Sequence, residues 1–565
     1  MTLLSTIQLS KNALHAAQLG LQVTSNNIAN ANTPGYLRQR LIQSPSLPQR
    51  YGQLVLGLGV EIDAVVQVAD RFLMERLRAA DSDLSFGEAQ ESAYAQLEAL
   101  IGELSDNDLS TSLTSFFGSI HEILNQPEST SVRNLAVLQG RTLTDDIRRL
   151  FAGIQRVRED INTRVVAAAD EINSLLETIA DLNVKIVAAE GGEVSASDAV
   201  GLRDRRAIAL ADLAKLIDIR TAEQPAGDVS VHLGGEFVVF GGTWREVTVA
   251  NTSDRGQNVA EIRLAATDAP INSTSGKVAG LYAARDEVLG GALDDLNALT
   301  EALIFEFNRI YTAGQGLEGH TSLTGDFRVT DTTLALNQAG LAFTPKNGGF
   351  EVQVRNKQTG LTETTAIQVD LNGVGTETTL DDLAAALDAI DGLSATINAD
   401  RQLVITSDSP QVEFSFAGDT SGVLAALGIN TFFTGTDASN IRVSTYVQAN
   451  PARFSSSLTG VGEDTEIAGR LANLLTAPLG GQAGESLATL YDRMTSDIAQ
   501  GAADTRSATE GYRVFQRTLE AQHLSISGVN LDEEAVRMIT YQRAFQASAR
   551  VIQAITEMLD ILVNL

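Results

Sequence analysis

Apolar positions near the start of the chain repeat every seven residues, at Ile7, Leu14, Leu21 and Ile28, with Leu3, Ser10, Ala17 and Thr24 interleaved. That spacing predicts a helix with one narrow apolar stripe, and such a stripe needs a partner helix. The breaker Asn32-Thr33-Pro34-Gly35 ends it near Asn30, and residues 32–60, with Pro34, Pro45 and Pro48, read as a loop and extended arm. The segment Leu531 to Leu565 repeats the stripe. Leu531, Met538, Phe545, Ile552 and Leu559 lie seven apart, with Tyr541, Ser548, Ile555 and Leu562 between them. Asp532, Glu533 and Glu534 fall in its first turn, where carboxylates suit the helix dipole. The last helix is the natural mate of the first.

Between these ends the period changes several times. Residues 70–220 contain one proline, Pro127, and read as helical throughout. The apolar positions from Leu143 to Ile186 keep 3/4 spacing over roughly 65 Å, closed by Gly191-Gly192, and a helix from Ala199 to Ile219 returns. VSVHLGGEFVVFGGTWREVTV alternates and turns on glycine pairs, predicting hairpin strands to about residue 270. Helix resumes from Lys277 to Tyr311. Residues 318–459, rich in Thr, Gly and Asp, hold the short amphipathic helix TLDDLAAALDAI between strands, a small α+β unit. Helix returns at about 484 and ends near Ser527-Gly528.

The expected fold is therefore multidomain and mainly α. It has a split terminal coiled-coil domain (1–60 and 527–565), a long helical bundle (61–220, 275–317 and 460–526), a β-rich domain (221–274 and 318–344 with 431–459) and a small α+β insert (345–430).

Charge narrows the partners. The net charge of −30 opposes nucleic acid and anionic membrane surfaces, yet residues 1–60 contain no Asp or Glu, only Lys11, Arg38, Arg40 and Arg50. No cysteine is present, which excludes disulfides and thiolate metal sites. The N-terminus lacks a basic region followed by an apolar run, and no stretch of about 18 apolar residues occurs, so neither a usual cleaved signal nor a membrane span is expected.

Catalytic patterns are weak. His15, His121, His232, His320 and His523 are scattered, and His121-Glu122-Ile123-Leu124-Asn125 lacks the second imidazole of a zinc helix. Gly373-Val374-Gly375 lacks the third glycine of a dinucleotide loop, and Thr379 with Asp382 reads as a helix cap. No nucleophile elbow or P-loop occurs. The expectation is no catalytic residue, no metal and no cofactor.

SNNIANANTPGYLRQR, Ser25 to Arg40, resembles the N-terminal signature of the flagellar rod, hook and hook-associated axial proteins. SGVNLDEEAVRMITYQRAFQASARVIQAITEMLDILVNL, Ser527 to Leu565, resembles their C-terminal one. Within that family, the helical region followed by β hairpins is similar to the member that joins hook to filament. Tyr311 stands where that member's pattern would have His, and 345–430 resembles α+β repeats of other axial proteins.

The resemblance implies a structural subunit of the bacterial flagellum that polymerises through its two ends, exported through the flagellum's own channel without cleavage. It implies self-association in a tube, hook protein below, a second junction protein above, and an export chaperone at the C-terminal segment. The expected assembly interface comprises Ile7, Leu14, Leu21, Asn27, Ile28, Asn30, Pro34, Gly35 and Tyr36 with Leu531, Met538, Tyr541, Phe545, Ile552, Ile555, Leu559 and Leu562. A hook or distal rod subunit is the nearest alternative, and a secreted enzyme on a flagellar scaffold a distant one.

Overall fold

The helices follow the apolar periodicity and the strands follow the alternating segments. The computed structural model describes residues 3–51, 54–102, 108–191, 199–460, 464–480 and 484–563. In chain order the elements begin with α1 (Leu3–Ala29), β1 (Gln39–Pro45), β2 (Gln49–Tyr51), β3 (Leu54–Leu56) and β4 (Val60–Gln67). Helices α2 (Arg71–Ile101), α3 (Leu109–Asn125), α4 (Thr130–Glu190) and α5 (Val200–Leu216) follow. Next come β5 (Arg220–Glu223), β6 (Val229–Leu233), β7 (Glu236–Phe240), β8 (Thr243–Trp244), β9 (Val247–Asp254) and β10 (Gln257–Leu264). They lead to α6 (Gly276–Ala283), one π-helical turn (Ala284–Val288) and α7 (Leu289–Tyr311).

By contacts the chain divides into two units, Met1–Ala93 with Glu159–Glu287 and Ala503–Leu565, and Tyr94–Arg158 with Val288–Ala502.

In the first unit, β5 to β8 form one antiparallel sheet and β9 pairs with β10. Three asparagines, about three helical turns apart on α4, tie this β material to the helix. Asn162 donates to the Asn258 carbonyl (3.0 Å) and accepts from the Ala260 amide (3.1 Å). Asn173 does the same with both backbone groups of Val247 (2.9 Å each), and Asn183 with Val229 (2.8 and 3.0 Å). Each carboxamide pairs with strand backbone groups, and at Val229 these would otherwise be buried unpaired. The sequence predicts one unbroken helix over 277–311, but the structure interrupts it with the π-helical turn. There the buried Arg285 donates to the Ala260 carbonyl (2.7 Å) and to Asn162 (2.9 Å). The predicted arm at 32–60 is two ribbons, β1 with β4 and β2 with β3, the first carrying a bulge at Ile42/Gln43.

The second unit contains β11 (Ser322–Thr324), β12 (Gly348–Asn356), β13 (Thr362–Val369), α8 (Leu380–Asp388), β14 (Leu393–Ile397), β15 (Leu403–Ser407) and β16 (Val412–Ala417). Its sheets run β11-β15-β14 and β13-β12-β16, around one apolar cluster that extends from Leu323 to Ile429. Thr379 and Asp382 make the reciprocal capping box that their spacing predicts. A second core stacks Phe116, Phe307, Phe432 and Phe433, with ring centroids 4.8–5.6 Å apart. Beside it Asn308 accepts from the amides of Phe432 and Phe433 and donates to the Phe433 carbonyl. A helix absent from the sequence reading, Glu466–Asn473, packs on α3 and α7 in this unit.

The chain closes with two long helices, Leu487–Ser527 and Leu531–Val563.

Candidate assembly interface

Helix α1 and the last helix, Leu531–Val563, pack antiparallel, with Asn27 beside Glu534 and Gly20 beside Tyr541. The centre of the α1 seam consists of small residues. Ser10, Ala17, Gly20, Thr24 and Asn27 are buried, and with Ala13 they alternate three and four apart. A Cβ at Gly20 would stand 2.5 Å from the Tyr541 ring, so glycine there is what lets the ring lie against the α1 backbone. The larger Ile7, Leu14, Leu21 and Ile28 are half-buried and flank this seam instead of filling it. The last helix supplies the bulk: Met538, Tyr541, Phe545, Ile552 and Leu559 are half-buried, Ile555 is buried, and Leu531 is exposed. The Leu562 side chain lies outside the described residues.

The NTPGY segment turns the chain away from α1. Tyr36 donates its amide to the Thr33 carbonyl (3.2 Å), Pro34 holds the second position, and Gly35 takes φ +74°, a type II turn. The turn returns the chain to a polar cluster that joins the two signatures. Asn27, 1% exposed, accepts from the Tyr36 hydroxyl (2.8 Å) and the Gln39 amide (2.9 Å). It donates to the Gln39 carbonyl (2.9 Å) and to Glu534 Oε2 (3.0 Å). Arg38 Nε donates to Glu534 Oε1 (2.9 Å) and Arg38 Nη2 to Glu533 (2.8 Å), while the Arg38 amide reaches the Ser527 carbonyl (2.9 Å). Asn530 caps the last helix, accepting the amides of Asp532 and Glu533, and so aims Glu534 inward. Asn30 bonds back to Asn26, closing the end of α1.

Arg38, Gln39, Glu533, Glu534 and the small seam residues other than Asn27 were not among the predicted positions. The signal for the charged pair was present: bases without acids in 1–60, facing three acids in the first turn of the last helix.

Burial sets the protonation states here. It pushes the Tyr36 phenol up to about 12, helped by the negative charges of Asp204 and Glu534, so the hydroxyl stays a donor to Asn27. Burial also raises the Asp204 carboxyl to about 6, against the opposing hydrogen bonds from Leu37 and Gln67 (2.6 Å). Its folded pKa lies above the unfolded one, so its contribution is fully present below about pH 4 and lost as pH rises to about 6. Asp204→Asn is therefore expected to gain thermal stability relative to the natural chain between about pH 4 and 6. Melting curves across that range test this, and a stability difference that ignores pH would contradict it.

Among the described residues no group of three or more His, Cys, Asp or Glu is placed to hold a metal, and no helix is long and apolar enough to cross a membrane.

Comparison with known proteins matches these parts. The flagella basal body rod protein model matches residues 7–36, and the flagellar basal body rod FlgEFG protein C-terminal model matches 520–565, the two partners of the helix pair. The flagellar hook-associated protein FlgK helical domain model matches 94–327. Flagellar hook-associated protein 1 of Escherichia coli (strain K12) is 25% identical over 99% of this chain and 100% of the relative. The protein of the same name from Bacillus subtilis (strain 168) is 23% identical, over 99% and 97%. The solved flagellar hook junction protein FlgK from Burkholderia pseudomallei covers 80% of this chain and 100% of its own, with a TM-score of 0.50 at 14% identity, a likeness of fold. The helix pair and both terminal matches are similar to those of flagellar axial proteins. Within that class the chain resembles flagellar hook-associated protein 1 from end to end.

Proposed function

We propose that this chain is the structural subunit that joins the flagellar hook to the filament, polymerising through α1 and the last helix. One observation carries the assembly role. The last helix covers α1 with one face while Val536, Ile539, Val551, Met558 and Ile561 on the opposite face remain exposed, from 41% to 64%. An apolar face left over after the intramolecular partner is in place suits a further subunit. Repeated head-to-tail, that contact is heterologous and builds a tube. The whole-length likeness to hook-associated protein 1 supports the junction as the place.

In this reading the chain leaves the cell through the flagellar channel without cleavage. An export chaperone covers its C-terminal segment, and hook protein and a second junction protein are its neighbours. It carries no catalytic activity.

Imaging the tagged chain on isolated hook-basal bodies is expected to label a narrow zone at the distal end of the hook, and a deletion strain should make hooks without filaments. Label along the whole hook or in the rod would instead make it a hook or rod subunit.

A further inference from the structure

A pocket of about 350 Å³ in the first unit is lined by four arginines, Arg71 and Arg78 from α2 and Arg203 and Arg206 from α5. In a chain of net charge −30 this is a local concentration of cations. Its lining carboxylates are two, Glu75 and Glu223. Glu223 is shared, bonding Arg71 (2.7 Å) and Arg203 and lying 3.8 Å from Arg206, while Arg203 is held further by Glu190. Arg206 is 4% exposed and spends one nitrogen, Nη1, on Asn183 (2.9 Å) and the Gly227 carbonyl (2.7 Å). Arg78 has one hydrogen bond among the described residues, to the Thr221 hydroxyl (3.0 Å).

Two guanidinium groups thus face the pocket with donors to spare: Glu223 is shared with other arginines, and Glu75, which lines the pocket and whose charge acts on Arg78, is itself exposed and makes no hydrogen bond to it. Burial lowers the affinity of both for their protons, Arg206 to about 10 with the like charge of Arg203 adding to the effect.

We propose that this pocket binds a small tetrahedral oxyanion, phosphate or a phosphomonoester, with Arg78 as its principal donor and Arg71 closing the rim. Guanidinium forks arriving from two helices match an anion with oxygens on several sides better than a planar carboxylate, which one fork saturates. The pocket has room for more than the bare ion.

Calorimetric titration of the full chain with inorganic phosphate, against chloride at equal ionic strength, tests this. Saturable binding in the millimolar range or tighter is expected, weakened about tenfold or more by Arg78→Gln. Arg71→Gln, whose side chain is 77% exposed and so safe for folding, is expected to weaken it less. A parallel titration with glycerol 3-phosphate separates the sources: tighter binding than phosphate assigns the site to an ester, weaker binding to the free ion. No saturable binding of either, or equal affinity in Arg78→Gln, would overturn the proposal.

Discussion

Replacing Glu534 with Ala is expected to open the terminal helix pair, destabilising it by about 3 kcal/mol or more. The Glu534 side chain is 1% exposed and Arg38 opposite it 13%, so the mutation leaves a nearly buried guanidinium without its main acceptor. It also removes the acceptor of Asn27, whose carboxamide is bound on every other side by Tyr36 and Gln39 and cannot turn elsewhere. Breaking one partner of a buried pair is more damaging than replacing both, because the remaining charge keeps its desolvation cost. Hydrogen exchange reads the effect locally: amides in the first turns of the last helix and the last turns of α1 should exchange about a hundredfold faster. Glu533→Ala provides the contrast. Glu533 is 56% exposed and also bonds Arg38, so its loss should change stability by well under about 1 kcal/mol. Equal effects of the two substitutions would show that the cluster does not hold the ends together.

The terminal helices were legible in the sequence because their periodicity and breakers are local properties. α1 ends at Ala29, next to the predicted Asn30, and the break at Pro34-Gly35 is a turn whose geometry those two residues dictate. Which positions form the seam was not legible in the same way. A search for large apolar residues selects Ile7, Leu14, Leu21 and Ile28, but the buried seam is made of small side chains, Ala17, Gly20 and Thr24, with Tyr541 lying against Gly20. The bulky residues of the other helix then fill the space, so the seam is a property of the pair. The ties from Asn162, Asn173 and Asn183 are likewise invisible in one strand or one helix, since each asparagine answers a backbone some 46 to 98 residues away. The π-helical turn belongs to the same class: the helical pattern from Lys277 to Tyr311 gives no sign of it until the Ala260 carbonyl is placed beside Arg285.

Removing residues 531–565 should have the largest effect of any change considered, abolishing incorporation into the flagellum while leaving most of the chain folded. The core of α2 and the helix Leu487–Ser527, built on Leu73, Ala80 and Leu519, does not involve the deleted helix. Neither do the asparagine ties to the strands or the cluster from Leu323 to Ile429. What loses its cover is α1. Without Tyr541, Phe545 and Ile555 its seam of Ser, Ala, Gly and Thr faces water, and it retains the ribbon of β1 and β4 as a neighbour. A helix with that composition is marginal, because Gly20 and several β-branched and polar residues lower its intrinsic stability and the ribbon of β1 and β4 replaces only part of the lost burial. Circular dichroism of the truncated chain should therefore lose more helix than the 33 residues of the last helix, by up to the 27 residues of α1. Its main thermal transition should remain. A truncated chain that kept α1 helical, or that still joined hooks at the normal level, would show that the two ends act separately and that assembly runs through another surface.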